Sequence, residues 1–288
     1  MMRVAVLGMG HMGRAIALRL LGQGHQVTVW NRTPGKAADV ARAGAAEASS
    51  PLGAARGADA ALMSLSDDAA VLNVMRALIE LEEDRDPPVI VDTSTVAPDT
   101  SRSLRDVAPG RRFLAAPVLG APGAVGDGTA SGLLGGERRL AETLEPVWAS
   151  LFARHWYCGA DPGNATTVKL LSNYQMMAGI AVVAEALAAA EAAGLDPRLL
   201  REVFFPLPTI APALRDRLGR MLDGDHDGWF TTRLGAKDVR LLAETAESLG
   251  VVLPIARLVE RRYEEAAAQG HRDDDITAVV ELVRPREP

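Results

Sequence analysis

The stretch from Asp161 to Asp196, DPGNATTVKLLSNYQMMAGIAVVAEALAAAEAAGLD, constrains this chain more than any other. Only Lys169, Glu185 and Glu191 carry charge between its acidic ends. With Asn164 as N-cap behind a Pro-Gly turn and Gly194 as the C-terminal stop, it predicts one helix of about thirty residues, roughly 45 Å long. A helix that is apolar nearly all round has to be buried by something. Its longest unbroken apolar run, Met176–Ala184, is far short of the roughly 20 residues a bilayer requires, so the expected surroundings are two masses of protein. Lys169 and Asn173 are one turn apart on it and share a face. A lysine among Val168, Leu170 and Leu171 either reaches water along the helix surface or is held in a cleft for chemistry. Taken alone, the first arrangement is the commoner.

The chain reads differently on the two sides of this helix. Ahead of it, strands are expected at 3–8, 26–30, 58–65, 89–92, 113–117 and 131–135, with helices at 12–21, 36–43, 69–80 and 101–107. Such alternation implies a parallel sheet covered on both faces. Behind it only helices are expected, at 197–204, 210–222, 235–249, 254–269 and 273–282. The expected fold class is therefore α/β. A Rossmann domain with a doubly wound parallel sheet occupies residues 1–162, an all-helical domain for substrate and dimerisation occupies 163–288, and the long helix joins them. A chain of 288 residues suffices for two domains. The net charge is -6 and the basic residues are scattered, which excludes a nucleic-acid footprint. The lone Cys158 excludes an intramolecular disulfide. Together with the absence of a signal pattern ahead of Arg3, it leads us to expect a cytoplasmic protein. His25, His155, His226 and His271 are scattered, so no metal site is expected.

The first strand ends in Gly8-Met9-Gly10-His11-Met12-Gly13, a G-x-G-x-x-G sequence between a strand and a helix. Gly8 permits the tight turn, Gly10 lets the backbone approach a diphosphate, and Gly13 lets helix and strand pack closely. The helix N-terminus then faces phosphate, which makes this stretch a candidate dinucleotide site. The second strand ends in Asn31-Arg32-Thr33, where an NAD site usually carries an acid for the ribose 2′-hydroxyl. With no acid there, Arg32 and Lys36 are expected to pair with a 2′-phosphate and Asn31 and Thr33 to donate to it, so NADPH is expected over NADH. Met63, Ser64 and Leu65, at the end of the third strand, are added to the cofactor set. Asp92-Thr93-Ser94-Thr95 follows a strand at the carboxyl edge of the sheet. Its hydroxyls either touch nicotinamide or substrate, or cap the next helix through Thr95 or Asp99. Lys237-Asp238, as an isolated pair, reads as a solvated surface feature.

In this order the pieces resemble the β-hydroxyacid dehydrogenases, the group containing 3-hydroxyisobutyrate dehydrogenase, tartronate semialdehyde reductase and the glyoxylate/succinic semialdehyde reductases. The resemblance covers nearly the whole chain. It rests on Val6-Leu-Gly-Met-Gly-His-Met-Gly13, Asp92-Thr-Ser-Thr95, Ala116-Pro-Val-Leu-Gly-Ala121, Gly163-Asn-Ala-Thr-Thr-Val-Lys-Leu-Leu-Ser-Asn173, Lys237-Asp238 and Asp275-Ile-Thr-Ala-Val279. It implies that Lys169 is the catalytic acid/base, its pKa lowered by burial, and that Asn173 holds the substrate. It further implies that Lys237 lies against the cofactor and Thr95 near the nicotinamide and substrate. The family's loop usually reads A-P-V-S-G-G, and its serine and glycines bind the substrate carboxylate. Here Leu119 replaces the serine and Ala121 the second glycine, leaving Leu119, Gly120 and Ala121 as the substrate loop. The related imine reductases share the fold, the NADPH preference and the Asn-Arg-Thr signature, and have more apolar pockets, but usually lack the lysine. The expected function is thus NADPH-dependent reduction of a carbonyl acid, semialdehyde or related small molecule. The alternatives are imine reduction, or an NADPH-binding sensor or scaffold. A homodimer through the helical half is expected, with no nucleic-acid or membrane partner.

Overall fold

The computed structural model describes residues 1–83 and 86–284; residues 84–85 and 285–288 of the expected domain ranges lie outside it. The chain divides into two compact units, Met1–Lys169 and Leu170–Pro288. The division falls inside the long helix, between 169 and 170, and not at its start.

In the first unit, the strands are β1 (Arg3–Leu7), β2 (Gln26–Trp30), β3 (Ala46–Glu47), β4 (Ala60–Met63), β5 (Val89–Asp92), β6 (Phe113–Ala115), β7 (Val118–Leu119), β8 (Ser131–Gly136) and β9 (Arg154–Gly159). They form one sheet of order β3-β2-β1-β4-β5-β6-β8-β7, with β9 paired to β8. Its helices are α1 (His11–Gly22), α2 (Ala38–Arg42), α3 (Pro51–Ala55), α4 (Asp68–Leu78), α5 (Pro98–Val107), α6 (Pro122–Asp127), α7 (Arg138–Thr143) and α8 (Glu145–Leu151). Strands β1 to β6 are all parallel where they pair. β8 runs antiparallel to β6 and β7, a departure from the all-parallel expectation. The segment from β7 to β8 runs only from 120 to 130, with the six residues of α6 inside it, short of the dozen or more that a parallel crossover takes. Both faces are covered, so residues alternate between two apolar clusters. Val4, Val6, Ala60 and Leu62 meet Ile16, Leu20, Val125 and Trp148 on one side. Ala5, Leu7, Ala61 and Met63 meet Val71, Met75, Leu78 and Leu104 on the other.

The long helix α9 spans Pro162–Ala192. Its cap is Asp161, not Asn164: the Asp161 Oδ1 accepts from Gly163 N–H at 2.9 Å, while the Asn164 amide donates to the carbonyl of Cys158. Arg102 of α5 holds Asp161 from the other side, Nε to Oδ2 at 2.9 Å. Gly194 follows the helix in the left-handed conformation. By length and composition α9 is apolar enough to cross a membrane, which the argument from its longest unbroken run does not detect. Within the second unit, however, one stripe of it is buried in protein: Met177, Ile180, Ala184 and Leu187, at intervals of three and four. Val168, Leu171 and Val182 lie outside that stripe and are exposed.

The described part of the second unit contains helices and no named strand: α10 (Pro197–Phe204), α11 (Pro212–Asp223), α12 (Thr232–Ser248) and α13 (Pro254–Ala266), then a 3-10 helix over Ile276–Leu282. Their apolar faces close on the α9 stripe through Leu214, Leu218, Met221, Val239, Tyr263 and Ile276. The Tyr263 hydroxyl, fully buried, donates to the carbonyl of Met177 at 3.2 Å, and burial pushes its pKa far up.

Candidate functional site

The turn after β1 is shaped by close approach. A Cβ on Gly8, whose φ is +105°, would run into the carbonyl of Ser64, and one on Gly13 into the carbonyl of Gly8. The loop's amides are allotted in sequence. Gly8 N–H donates to the Trp30 carbonyl at 2.8 Å, and Met9 N–H to the Asn31 Oδ1 at 2.9 Å. Gly10 then caps α1 without a side-chain bond, and no acid lies in the first turn. The N–H groups that open a helix have no intrahelical acceptors, so this end of α1 presents donors and a positive dipole. A Cβ on Gly10 would meet nothing within 4 Å, which leaves room above those amides. Orphan donors facing open space suit a diphosphate, and the residues present therefore fit a dinucleotide.

At the end of β2 both polar atoms of Asn31 have partners within the chain: its Oδ1 takes Met9 N–H, and its Nδ2 gives one of its two hydrogens to the Thr33 carbonyl at 3.0 Å. Arg32, Thr33 and Lys36 are exposed. Of the three residues proposed at the end of β4, Met63 is wholly inside the core, which leaves Ser64 and Leu65 at the edge.

At the end of β5, Thr93 Oγ1 donates to the Met63 carbonyl at 2.7 Å and Ser94 Oγ accepts from Leu65 N–H at 2.9 Å. These hydroxyls brace two strand ends against each other. The cap of α5 is Ala97, not Thr95 or Asp99, and its N–H reaches Asp68 Oδ1 at 2.9 Å. Thr95 is half-buried beside them. In the next loop Leu119 is half-buried against the cluster that contains Met63, Gly120 is exposed, and Ala121 caps α6.

Lys169 and Asn173 are one turn apart on α9; Lys169 is half-buried. Asn173 is buried, and its Nδ2 donates to Asp238 Oδ2 at 2.6 Å. Asp238 is 2% exposed and also pairs with Lys237, Nζ to Oδ1 at 3.0 Å, whose side chain is 12% exposed. Lys237-Asp238 is therefore an interior pair and not the solvated feature expected of it in isolation. A carboxylate only accepts, so Asp238 fixes which end of the Asn173 amide faces it and turns the Asn173 carbonyl oxygen elsewhere. The sequence signal for this was local: Asp238 stands between Ala236 and Val239 on the buried face of α12. Among the described residues no three His, Cys, Asp or Glu side chains are placed to hold a metal ion.

Two families match successive parts of the chain. The family described as the NAD binding domain of 6-phosphogluconate dehydrogenase matches residues 3–159. The one described as NAD-binding of NADP-dependent 3-hydroxyisobutyrate dehydrogenase matches residues 163–283. Glyoxylate/succinic semialdehyde reductase 1 of Arabidopsis thaliana is 29% identical over 287 residues, covering 98% of this chain and 99% of that protein. A structure of Mycobacterium tuberculosis 3-hydroxyisobutyrate dehydrogenase with L-serine superposes with TM-score 0.85 at 25% identity, covering 99% of this chain and 100% of that one. An imine reductase of Streptomyces aurantiacus shares the fold, with TM-score 0.64 at 24% identity over 98% of this chain and 100% of that one.

Proposed function

The chain belongs to the β-hydroxyacid dehydrogenase family of NAD(P)-dependent oxidoreductases, and on that premise we propose that it reduces the carbonyl of a small acid or semialdehyde with NADPH, Lys169 being the proton donor. The bound cofactor supplies a hydride from its nicotinamide ring. As the carbonyl carbon accepts it, the Lys169 ammonium gives a proton to the carbonyl oxygen and is left as a neutral amine, which water recharges. Asn173 orients the substrate with the second N–H of its amide, the one that Asp238 does not take. This arrangement carries the reading: a buried amide with one end fixed, a single helical turn from the lysine.

The NADPH preference draws support from the exposed Arg32, Thr33 and Lys36, with no acid at the end of β2. Leu119 removes the hydroxyl that would hold a carboxylate and Ala121 replaces a glycine, while the backbone amides of Gly120 and Ala121 remain. A carbonyl acid or semialdehyde is therefore the first choice, in a pocket more apolar than the family's usual one. Leu119 is also the observation that favours C=N reduction as the second reading. The exposed Val182 and Leu171 on α9 support a homodimer through the helical half, and a cytoplasmic setting belongs to the same reading.

The test is a panel of keto acids, semialdehydes and cyclic imines, followed by loss of NADPH absorbance and repeated with Lys169→Ala. The variant should bind NADPH as before and lose about a hundredfold or more in turnover on carbonyl substrates. Near-normal turnover would remove Lys169 from the mechanism and shift the reading to C=N reduction.

A further inference from the structure

We propose that Asn31 is a positioning residue of the cofactor site, a latch that ties the adenosine-phosphate end to the diphosphate end and makes no contact with the 2′-phosphate. The inference rests on the dinucleotide reading of the glycine loop. Both polar ends of the side chain are committed within the chain. Its carbonyl oxygen accepts Met9 N–H at 2.9 Å, twenty-two residues earlier in the sequence, and its amide nitrogen donates to the Thr33 carbonyl at 3.0 Å. A group that accepts on one side and donates on the other is a primary amide, and a carboxylate cannot make the second bond. The residue type is thus set by the two loops it joins.

Two consequences follow for a ligand. The Gly8 and Met9 amides are both engaged by the end of β2, so the first donors open to phosphate are those of the α1 N-terminus, held in place before any ligand arrives. At the other end, drawing the Thr33 carbonyl back onto Asn31 closes the turn around Arg32, which is exposed. One side chain sets the spacing between the anion cradle and the cation that the proposed function assigns to the 2′-phosphate. A preorganised pair of subsites binds more tightly because the ligand does not have to order them.

The contrast is with a direct phosphate contact, which NADH lacks. Calorimetric titration with NADPH and NADH is compared for the unmodified protein, Asn31→Ala, Asn31→Asp and Arg32→Ala, and hydrogen exchange at the Met9 amide is followed without ligand. Asn31→Ala should weaken NADH by about tenfold through the loosened diphosphate end and NADPH by at least as much, and should release the Met9 amide to exchange. Asn31→Asp keeps an acceptor, so Met9 stays protected and NADH binding is kept, while NADPH binding falls because a new negative charge stands beside its phosphate. Arg32→Ala should weaken NADPH alone. If Asn31→Ala weakens NADPH and spares NADH, or leaves Met9 exchange unchanged, the latch is wrong and the cofactor reading stands. If the unmodified protein binds neither cofactor, the cofactor reading falls and takes the latch with it.

Discussion

On the proposed function, substrate choice turns on Leu119. It is the second residue of β7, opposite Ser131, and packs half-buried against the apolar cluster of one sheet face. A leucine there donates nothing, and a carboxylate beside it loses partners that water would give. Leu119→Ser should raise kcat/KM for glyoxylate-sized acids by about tenfold, the worth of a hydrogen bond to a charged group. It should also cost about 1–2 kcal/mol in stability through lost burial, so unfolding is measured alongside steady-state rates. A protein that already prefers glyoxylate, and is slowed by the serine, would refute this account. At the same scale, Asn31 and Asp238 show where reading residues in order reaches its limit. Each was visible as a polar residue in a meaningful place, yet each has its partner far off in sequence, at Met9 and at Asn173.

Elements that bury a long face were legible, since periodicity of two or 3.6 is the burial itself written in sequence. β1, β2, β4, β5 and α4 follow from it, as do the four helices of the second unit. The short helices α3, α6, α7 and α8 have too few residues to display a period, and the edge strand β9, none of whose six residues is fully buried, has no buried face to display; only their contacts define them. One such contact gives the first unit a pH dependence. His25, 7% exposed, stands just before β2; its Nδ1 accepts from Met2 N–H and its Nε2 is 2.9 Å from Ser150 Oγ on α8. Burial lowers its pKa from the usual 6.5. Below that pH the unfolded chain takes up a proton that the folded one refuses, so stability is whole above pH about 6.5 and is lost as pH falls towards the folded pKa. His25→Gln should cost about 1 kcal/mol at pH 7.5 for the disturbed hydrogen bonds, and its melting temperature should then fall less than that of the unmodified protein between pH 7 and 5. Parallel curves would mean that His25 does not govern the acid limb.

For the molecule as a whole, α9 is the element whose surroundings matter most. Val182, 67% exposed, and Leu171, 44% exposed, are apolar and outside the buried stripe. If a second copy covers them, Val182→Glu should shift a dimer to monomer in sedimentation at micromolar concentration; an unmodified protein that sediments as a monomer would end that proposal. The sequence alone determined the class of each half. Alternating short apolar runs can only be satisfied by a sheet with helices on both faces, and the glycines after β1 allow what no side chain would. It also placed Lys169 and Asn173 on one helical face, because a helix fixes neighbours four apart. Only the tertiary structure decided how the polar groups are used: Asn31 turned inward to Met9, Thr93 and Ser94 spent on strand ends, Lys237-Asp238 drawn into the interior. A buried donor or acceptor must find its complement wherever folding brings one, and which of many distant residues that is cannot be read from spacing along the chain.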